Sequence, residues 1–380
     1  MKGENDLSFN FSQTTPILFG CGSISELGDK VKEKGSSKAL CVYDAGVAGS
    51  GIADKVLGIL KTSGIETVIL DNVPPETPTT VIDENAEFVR SSGADCVIGI
   101  GGGTCLDTAK LYAIILKNPP PIDQYYASKG QFPSYAPLIL VPTSSGTGSE
   151  ATAFSVAHDM KTNKKEGIFS SAALAILDPE LTATCPPKIT AASGMDAMSH
   201  AVEAYTAKIA SPMTDLLALD AIKRISANLE RAYKDGKDIE ARTELILAAN
   251  FAGLSFGNSS VHFGHAIAHT LGLELDLPHG IGCALVTPEV IAFSEKAIPN
   301  RVADIHAALG APKGTSAADF AREMLRKLEI PSLAALGHSR EKVVGLAEAC
   351  MFDWFVIHSP FEVNADKMAE ILGAIYDNYK

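Results

Sequence analysis

The chain has 380 residues, with 32 Lys and Arg against 45 Asp and Glu, a net charge of −13 and 46% hydrophobic residues. This composition is typical of a globular protein and excludes intrinsic disorder, and the length favours two domains. The acidic balance argues against binding to nucleic acid or to an anionic membrane surface, because like charges repel.

Short β-branched runs alternate with amphipathic stretches in the first half of the chain. They predict strands over 38–44, 65–71, 94–100, 136–142 and 173–178, and helices over 52–62 and 80–92. Strands that alternate with helices of this length are typical of βαβ units. We therefore predict a parallel sheet covered by helices.

The second half has longer segments, rich in Ala and Leu, with helical periodicity. They predict helices over 213–233, 239–254, 318–328 and 365–379. The change in character follows Pro186-Pro187. We therefore predict two domains, an α/β domain of residues 1–185 and an all-helical domain of residues 186–380.

Nothing in the sequence indicates secretion or a membrane anchor. The N-terminus lacks the apolar stretch of a signal peptide, and no segment has the roughly 18–20 uninterrupted apolar residues that span a bilayer. The seven cysteines are scattered and include no Cys-x-x-Cys pair. We expect a cytoplasmic protein without structural disulfides.

Two loops of small residues follow predicted strands. Residues 101–107 read Gly-Gly-Gly-Thr-Cys-Leu-Asp, and residues 143–150 read Thr-Ser-Ser-Gly-Thr-Gly-Ser-Glu. Glycines before a helix let a phosphate approach the backbone N–H groups, so the two loops together favour a nucleotide ligand. A tight strand-to-helix turn is the alternative, and neither Gly-x-Gly-x-x-Gly nor a P-loop is present. Asp44 and Asp71 each end a strand, and spacing does not decide which of them accepts ribose hydroxyls or merely caps a helix.

Histidines concentrate in the second half, close to an aspartate. The set is Asp196, His200, His262, His265, His269 and His279. Asp196 and His200 are four residues apart, and His262, His265 and His269 stand at i, i+3 and i+7, so each group is predicted to share a helix face. His279 is predicted to lie in a turn. Such ligands suit Zn²⁺ or Fe²⁺ better than Ca²⁺ or Mg²⁺. A single histidine here would more often be a packing residue, and spacing does not show which helical histidines bind the metal.

These motifs resemble the iron-containing (group III) alcohol dehydrogenases, in the superfamily of dehydroquinate synthase and glycerol dehydrogenase. The resemblance covers nearly the whole chain, from Ile17-Leu-Phe-Gly-Cys-Gly22 to Pro278-His-Gly280. It implies an N-terminal α/β domain with a Rossmann-like dinucleotide site, an all-α C-terminal domain and an active site in the cleft between them. It also implies a homodimer or a larger homo-oligomer.

The resemblance assigns a role to individual residues. The implied metal ligands are Asp196, His200, His265 and His279, and His269 is implied to assist proton transfer. Positions that match the dinucleotide site are Gly101, Gly102, Gly103, Thr104, Asp107, Thr143, Ser144, Thr147 and Lys165. Asp44 matches the acid that accepts the adenosine ribose hydroxyls, which implies NAD(H) over NADP(H) because a carboxylate repels a 2′-phosphate.

The implied function is an NAD(H)-dependent and divalent-metal-dependent alcohol dehydrogenase or aldehyde reductase, with Fe²⁺ as the first expectation and Zn²⁺ or Mn²⁺ as alternatives. We expect a short, polar or anionic alcohol or aldehyde, with Phe256 and His262 near it. His262 also motivates an alternative, a hydroxyacid–oxoacid transhydrogenase. A dehydroquinate synthase-type lyase and a non-catalytic scaffold are the remaining alternatives. His358-Ser-Pro360 stands where the family usually has Asn-Pro-Arg, a departure that concerns the substrate and leaves the chemistry intact.

Overall fold

The structure, a computed structural model, describes residues 8–131 and 133–380. The strands are β1 Ile17–Phe19, β2 Lys38–Val42, β3 Glu66–Leu70, β4 Cys96–Gly101, β5 Leu138–Pro142, β6 Phe154–Asp159, β7 Lys164–Phe169 and β8 Leu174–Leu177. The helices are α1 Leu27–Glu33, α2 Ala45–Gly49, α3 Ile52–Thr62, α4 Thr79–Glu84, α5 Ala86–Ser91, α6 Gly103–Ile115, α7 Pro187–Thr206, α8 Pro212–Lys234, α9 Ile239–Ser259, α10 Phe263–Leu275, α11 His279–Glu295, α12 Pro299–Leu309, α13 Ala317–Lys327, α14 Arg340–Val344, α15 Ala347–Cys350 and α16 Ala365–Asn378.

A parallel sheet organises the first half of the chain. Its strand order is β1-β8-β5-β4-β2-β3, and β6 and β7 form a separate antiparallel pair. Every residue of β4 and β5 is buried, as expected of strands covered on both faces. The predicted parallel sheet is confirmed, and the ends of its five predicted strands shift by at most two residues.

Helices cover both faces of this sheet because successive side chains point to opposite sides. In β2, Leu40 and Val42 join the core that includes α6, whereas Ala39 and Cys41 join the core that includes α1 and α3. The partners of β2 on its two sides are β3 and β4, so the strand order reverses there. Open α/β sheets bind ligands at the carboxyl ends of strands at such a reversal.

The second half of the chain is helical and has one large apolar core. This core draws on all the helices from α7 to α16. The four predicted helices of this half are confirmed, with the helix from Ile239 extended to Ser259. Helix α7 begins at Pro187, which suits the first turn of a helix. The division into domains of residues 1–185 and 186–380 stays a prediction.

The two halves meet where the loop of residues 143–150 contacts α9. Asn250 Nδ2 donates a hydrogen bond of 2.9 Å to Glu150 Oε1. Gly148 has φ +59°, and a Cβ there would lie 2.6 Å from the carbonyl oxygen of Ala249. Only glycine combines this left-handed backbone with so close an approach. The loop is therefore held firmly against the helical half.

Two local predictions were wrong. The helix predicted over 80–92 is divided at Asn85, the residue between α4 and α5, whose backbone N–H and side chain both donate hydrogen bonds to the carbonyl of Val81, at 3.2 Å and 2.9 Å. His279, predicted to lie in a turn, is the first residue of α11. Within the described ranges, no helix combines the length and apolarity that a membrane crossing requires.

Candidate active site

A cavity at the meeting of the two halves collects most of the predicted site residues. Those that line it are Gly103, Thr104, Asp107, Thr147, Lys165, His200, Phe256, His265, His269 and His279. The start of α6, the loop after β5, and strands β6 and β7 line it from the α/β half, and α7, α9, α10 and α11 line it from the helical half. One cavity therefore joins the predicted dinucleotide loops to the predicted metal ligands.

Asp196 lies beneath the cavity at the centre of the histidine cluster. Its Oδ1 is 3.6 Å from His200 Nδ1, 3.6 Å from His279 Nε2 and 3.8 Å from His265 Nε2. Two atoms that bind one Zn²⁺ at about 2.1 Å in tetrahedral geometry lie about 3.4 Å apart. The spacing of these donors therefore fits a shared divalent cation.

The hydrogen bonding of this cluster also fits a cation. Asp196 Oδ1 and His200 Nδ1 are buried and have no hydrogen-bond partner among the described residues. Burial would raise the pKa of Asp196, but His200 and the other imidazoles hold that pKa below its usual range. Burial lowers the pKa of His200 to about 4. A charged carboxylate and a neutral imidazole are the forms that bind a metal.

Glu203, which the sequence analysis missed, orients one of these imidazoles. Its Oε1 lies 2.6 Å from His265 Nδ1, and its side chain is completely buried. A carboxylate on one ring nitrogen fixes the tautomer and directs the other nitrogen to a metal. The Nε2 atom of His265 is therefore the one presented to Asp196.

Cys283 is a second residue that the sequence analysis missed. Its Sγ lies 3.5 Å from His279 Nε2 and 3.8 Å from His265 Nε2. The potential ligand atoms of Asp196, His265, His279 and Cys283 all lie within 4.8 Å of one another. The buried sulfur therefore belongs to the cluster.

His269 lines the cavity next to this cluster. Its Nδ1 lies 2.8 Å from Asp353 Oδ2, and its ring stacks on that of His279 with the centroids 5.4 Å apart. Burial would raise the pKa of Asp353, but the hydrogen bond from His269 lowers it below its usual value. The aspartate therefore stays charged and leaves Nε2 of His269 available for proton exchange.

His262 does not lie where the sequence analysis placed it. It precedes α10 as the N-cap residue, so it does not share a helix face with His265 and His269. Its side chain is fully buried, and Nε2 lies 2.8 Å from Thr206 Oγ1. Phe256 lines the cavity, whereas His262 does not. The expectation that His262 faces the substrate is therefore not supported.

The two glycine-rich loops contact each other beside the cavity. A Cβ on Gly103 would lie 2.4 Å from Thr147 Cγ2, so glycine is needed for this approach. Gly102 is the N-cap of α6 and no side chain caps that helix, which leaves its N-terminus suited to an anion. The amide of Thr143 donates a 3.0 Å hydrogen bond to the carbonyl of Gly101. Ser144 Oγ lies 3.3 Å from the Cβ position of Gly102.

A buried network supports the wall of the cavity. Asp107 accepts a 2.7 Å hydrogen bond from Ser149 Oγ, and the fully buried Lys110 Nζ donates to the carbonyls of Ser149 (2.7 Å) and Phe154 (2.6 Å). Burial lowers the pKa of Lys110. Lys165 lines the cavity and forms an ion pair with Glu76. Asp107 therefore holds the loop as well as facing the cavity.

Asp44 lies at the carboxyl end of β2, outside the cavity lining. It caps α2, and its Oδ1 accepts a 2.8 Å hydrogen bond from the amide of Val47. A carboxylate has further acceptor sites beyond one cap. The position at the reversal of strand order is compatible with ribose binding as well as capping, so both readings of this residue stand.

Local spacing could have revealed part of what was missed. Glu203 follows His200 by three residues on α7, and Cys283 follows His279 by four on α11, so each pair shares a helix face. Asp353 is 84 residues from His269 and no local pattern connects them.

The fold and the site together define a class of protein in which a half built on a parallel sheet and a helical half enclose a possible metal site. The chain matches the family "Iron-containing alcohol dehydrogenase" over residues 14–179 and "Fe-containing alcohol dehydrogenase family, C-terminal" over residues 190–376. It belongs to the iron-containing alcohol dehydrogenase family and is an oxidoreductase of that family.

Similar proteins cover nearly the whole length of the chain. It is 35% identical to choline dehydrogenase of Bacillus subtilis, covering 96% of this chain and 94% of that protein. It is 34% identical to sulfoacetaldehyde reductase of Bilophila wadsworthia, covering 95% and 97%. A solved sulfoacetaldehyde reductase from Bifidobacterium kashiwanohense in complex with NAD⁺ has a TM-score of 0.89 at 27% identity, covering 97% and 99%. The oligomeric state and the cytoplasmic location stay predictions.

Proposed function

We propose that this protein is an NAD(H)-dependent and divalent-metal-dependent alcohol dehydrogenase or aldehyde reductase that acts on a short alcohol or aldehyde. The observation that carries the proposal is the buried, unpaired Asp196 Oδ1 among three imidazoles, under a cavity that the glycine-rich start of α6 also lines. Membership of the family and the NAD⁺ complex of a similar protein support the choice of cofactor.

The proposed metal ligands are Asp196, His200, His265 and His279. Fe²⁺ is the metal we propose, and Zn²⁺ and Mn²⁺ remain alternatives because nitrogen and carboxylate ligands accept all three. When bound, the cation supplies positive charge that stabilises developing negative charge on a substrate oxygen, and NAD(H) carries the hydride.

The chain's own residues position the reactants and move the proton. We propose that the dinucleotide is bound by Gly101, Gly102, Gly103, Thr104, Asp107, Thr143, Ser144, Thr147 and Lys165, with Asp44 on the adenosine ribose. His269 would exchange a proton between the substrate and solvent through Nε2, because Asp353 holds Nδ1. The closely packed loops and aromatic walls would limit access of water.

The walls of the cavity favour an uncharged substrate. Apolar residues line much of it, namely Phe154, Val156, Phe256, Val261, Ala268, Leu273, Leu277 and Phe355. Among the described lining residues, Lys165 is the one lysine or arginine, and Glu76 already pairs with it. An anionic aldehyde would need an unpaired cation, so we propose a short neutral aldehyde over an anionic one.

The feature that suggested the transhydrogenase alternative no longer supports it. It depended on a substrate-facing His262, and that side chain is buried away from the cavity against Thr206. We therefore propose the dehydrogenase in preference to the transhydrogenase and to the lyase.

The test is NADH oxidation against short aldehydes that are neutral or carry a carboxylate, sulfonate or phosphonate group, with metal analysis of the same sample. We expect metal-dependent oxidation, fastest with neutral aldehydes. Absence of oxidation in every metal-reconstituted form would contradict the dehydrogenase. Hydride transfer between a hydroxyacid and an oxoacid without turnover of free NADH would favour the transhydrogenase instead.

A further inference from the structure

Cys283 is set apart from the other cysteines by what its sulfur faces. Buried cysteines usually behave as small apolar residues. The Sγ of Cys283, however, lies 3.5 Å from His279 Nε2 and 3.8 Å from His265 Nε2, the two nitrogen atoms that point to Asp196 Oδ1. Within the described part of the chain, this cysteine alone lies in a group of residues able to hold a metal ion.

The separations match those of ligands on a common cation. With the four proposed ligands, a sulfur makes the site five-coordinate; a zinc–sulfur bond of about 2.3 Å and a zinc–nitrogen bond of about 2.1 Å then place the two ligand atoms about 3.1 Å apart at about 90° and about 3.8 Å apart at about 120°. The two observed sulfur–nitrogen distances, 3.5 Å and 3.8 Å, fall in that range. The unpaired Asp196 Oδ1 in the same group is the independent sign that a cation belongs there.

Helix geometry gives the sulfur this position. Cys283 stands one turn after His279 on α11, so both side chains project from one face. The start of α11 packs closely on α7, since a Cβ on Gly280 would lie 2.6 Å from the carbonyl oxygen of Ala192. This contact brings His279 and Cys283 of α11 against Asp196 of α7.

We propose that Cys283 is a further metal ligand of this site, a thiolate that adds to the carboxylate and imidazoles and makes the site prefer thiophilic divalent cations. The inference rests on the proposed function, because it uses the same cation. Binding would form one sulfur–metal bond and release the thiol proton to solvent, since a coordinated thiol is deprotonated. Thiolate ligands favour Zn²⁺, Co²⁺ and Cd²⁺ over Mn²⁺.

The test is cobalt binding to the metal-free, reduced full-length protein, followed by absorption. The wild type is expected to show a thiolate-to-cobalt charge-transfer band in the near ultraviolet that saturates at one cobalt per chain. Cys283→Ser is expected to bind cobalt without that band and to narrow the Cd²⁺-over-Mn²⁺ affinity ratio by about tenfold. Cys96→Ser, at a buried cysteine of β4 outside the cluster, is the matched control and is expected to keep the band.

Each outcome distinguishes this inference from the proposed function. If the wild type binds one cobalt per chain without the band, Cys283 is not a ligand, although the metal site itself is retained. A band that persists in Cys283→Ser leads to the same conclusion. Failure of the wild type to bind any metal overturns both. Should Cys283→Ser fail to fold, the ¹¹³Cd resonance of the wild type decides, because a sulfur ligand moves it far downfield of the range for nitrogen and oxygen ligands alone.

Discussion

Replacing Glu203 with glutamine is expected to weaken metal binding although it removes no ligand. Each of the two carboxylate oxygens of Glu203 accepts two hydrogen bonds. Oε1 accepts from His265 Nδ1 at 2.6 Å and from Ser199 Oγ at 3.1 Å. Oε2 accepts from the amides of His262 at 2.7 Å and of His265 at 3.2 Å. The site is fully buried, so water cannot replace a lost acceptor.

The amide group of Glu203→Gln has to replace one of these oxygens. If the NH₂ group takes the place of Oε2, it cannot accept hydrogen bonds from the two backbone N–H groups there. Those buried donors are then unpaired, and the start of α10 is displaced. In place of Oε1 the NH₂ group would donate to His265 Nδ1 and move the ring proton to Nε2, the nitrogen that faces Asp196. Either arrangement impairs His265 as a ligand. The expected loss of affinity is about 10- to 100-fold, or about 1.4–2.7 kcal/mol.

Chelator-competition titration of the metal-free protein with Zn²⁺ measures this loss, and thermal melting of the same samples measures stability. The matched control is Glu289→Gln, which removes another buried carboxylate of the helical half, one that pairs with Arg322 away from the cluster. The control is expected to lower the melting temperature and leave zinc affinity unchanged. Wild-type affinity in Glu203→Gln would refute the orienting role, as would an equal loss in both variants.

Four further perturbations follow from the site. Asp44→Ser keeps a helix-capping side chain but removes the negative charge. It is expected to reduce the preference for NADH over NADPH by about tenfold, the equivalent of about 1.4 kcal/mol of charge repulsion. An unchanged ratio of the kcat/KM values for NADH and NADPH would contradict ribose binding by Asp44. His269→Ala is expected to lower turnover by about 10²-fold and Asp353→Asn by less, both with unchanged metal content, and wild-type turnover in His269→Ala would exclude the proton relay. Removal of the metal by a chelator is expected to lower the melting temperature, because a ligand at 100 times its Kd stabilises the fold by about 2.7 kcal/mol; identical melting curves would show that the cluster holds no cation.

The sheet and the long helices could be predicted because their signals are local. The buried segments β4 and β5 can be predicted as strands without knowledge of the strands that pair with them. Asp196 and His200 are four residues apart inside one twenty-residue helix, so helical periodicity alone places them together. The division at Asn85 escaped prediction because neither a proline nor a glycine marks the boundary between α4 and α5.

The misplacement of His262 has a different cause. Spacing of i and i+3 implies a shared face only where both residues are helical. Ser260 takes a left-handed backbone with φ +71°, and His262 has φ −146° and ψ −135°, so α10 begins one residue after the histidine. Its ring turns to Thr206 on α7 instead of to the cavity. The direction of the His262 ring is therefore set by where α10 begins, and the three-residue spacing alone does not predict it.

The same limit applies to the chemistry of His265. Its presence beside Asp196 can be expected from the motif, but its use as a ligand depends on which ring nitrogen carries the proton. Glu203 settles that question from 62 residues away, by a contact that forms only when α7 and α10 pack together. Asp353 does the same for His269 across 84 residues. Local spacing therefore predicts which atoms can meet at the site, whereas tertiary packing determines which ring nitrogen carries the proton. In the proposed mechanism, that placement of the proton would let His265 act as a ligand and leave His269 free to exchange a proton.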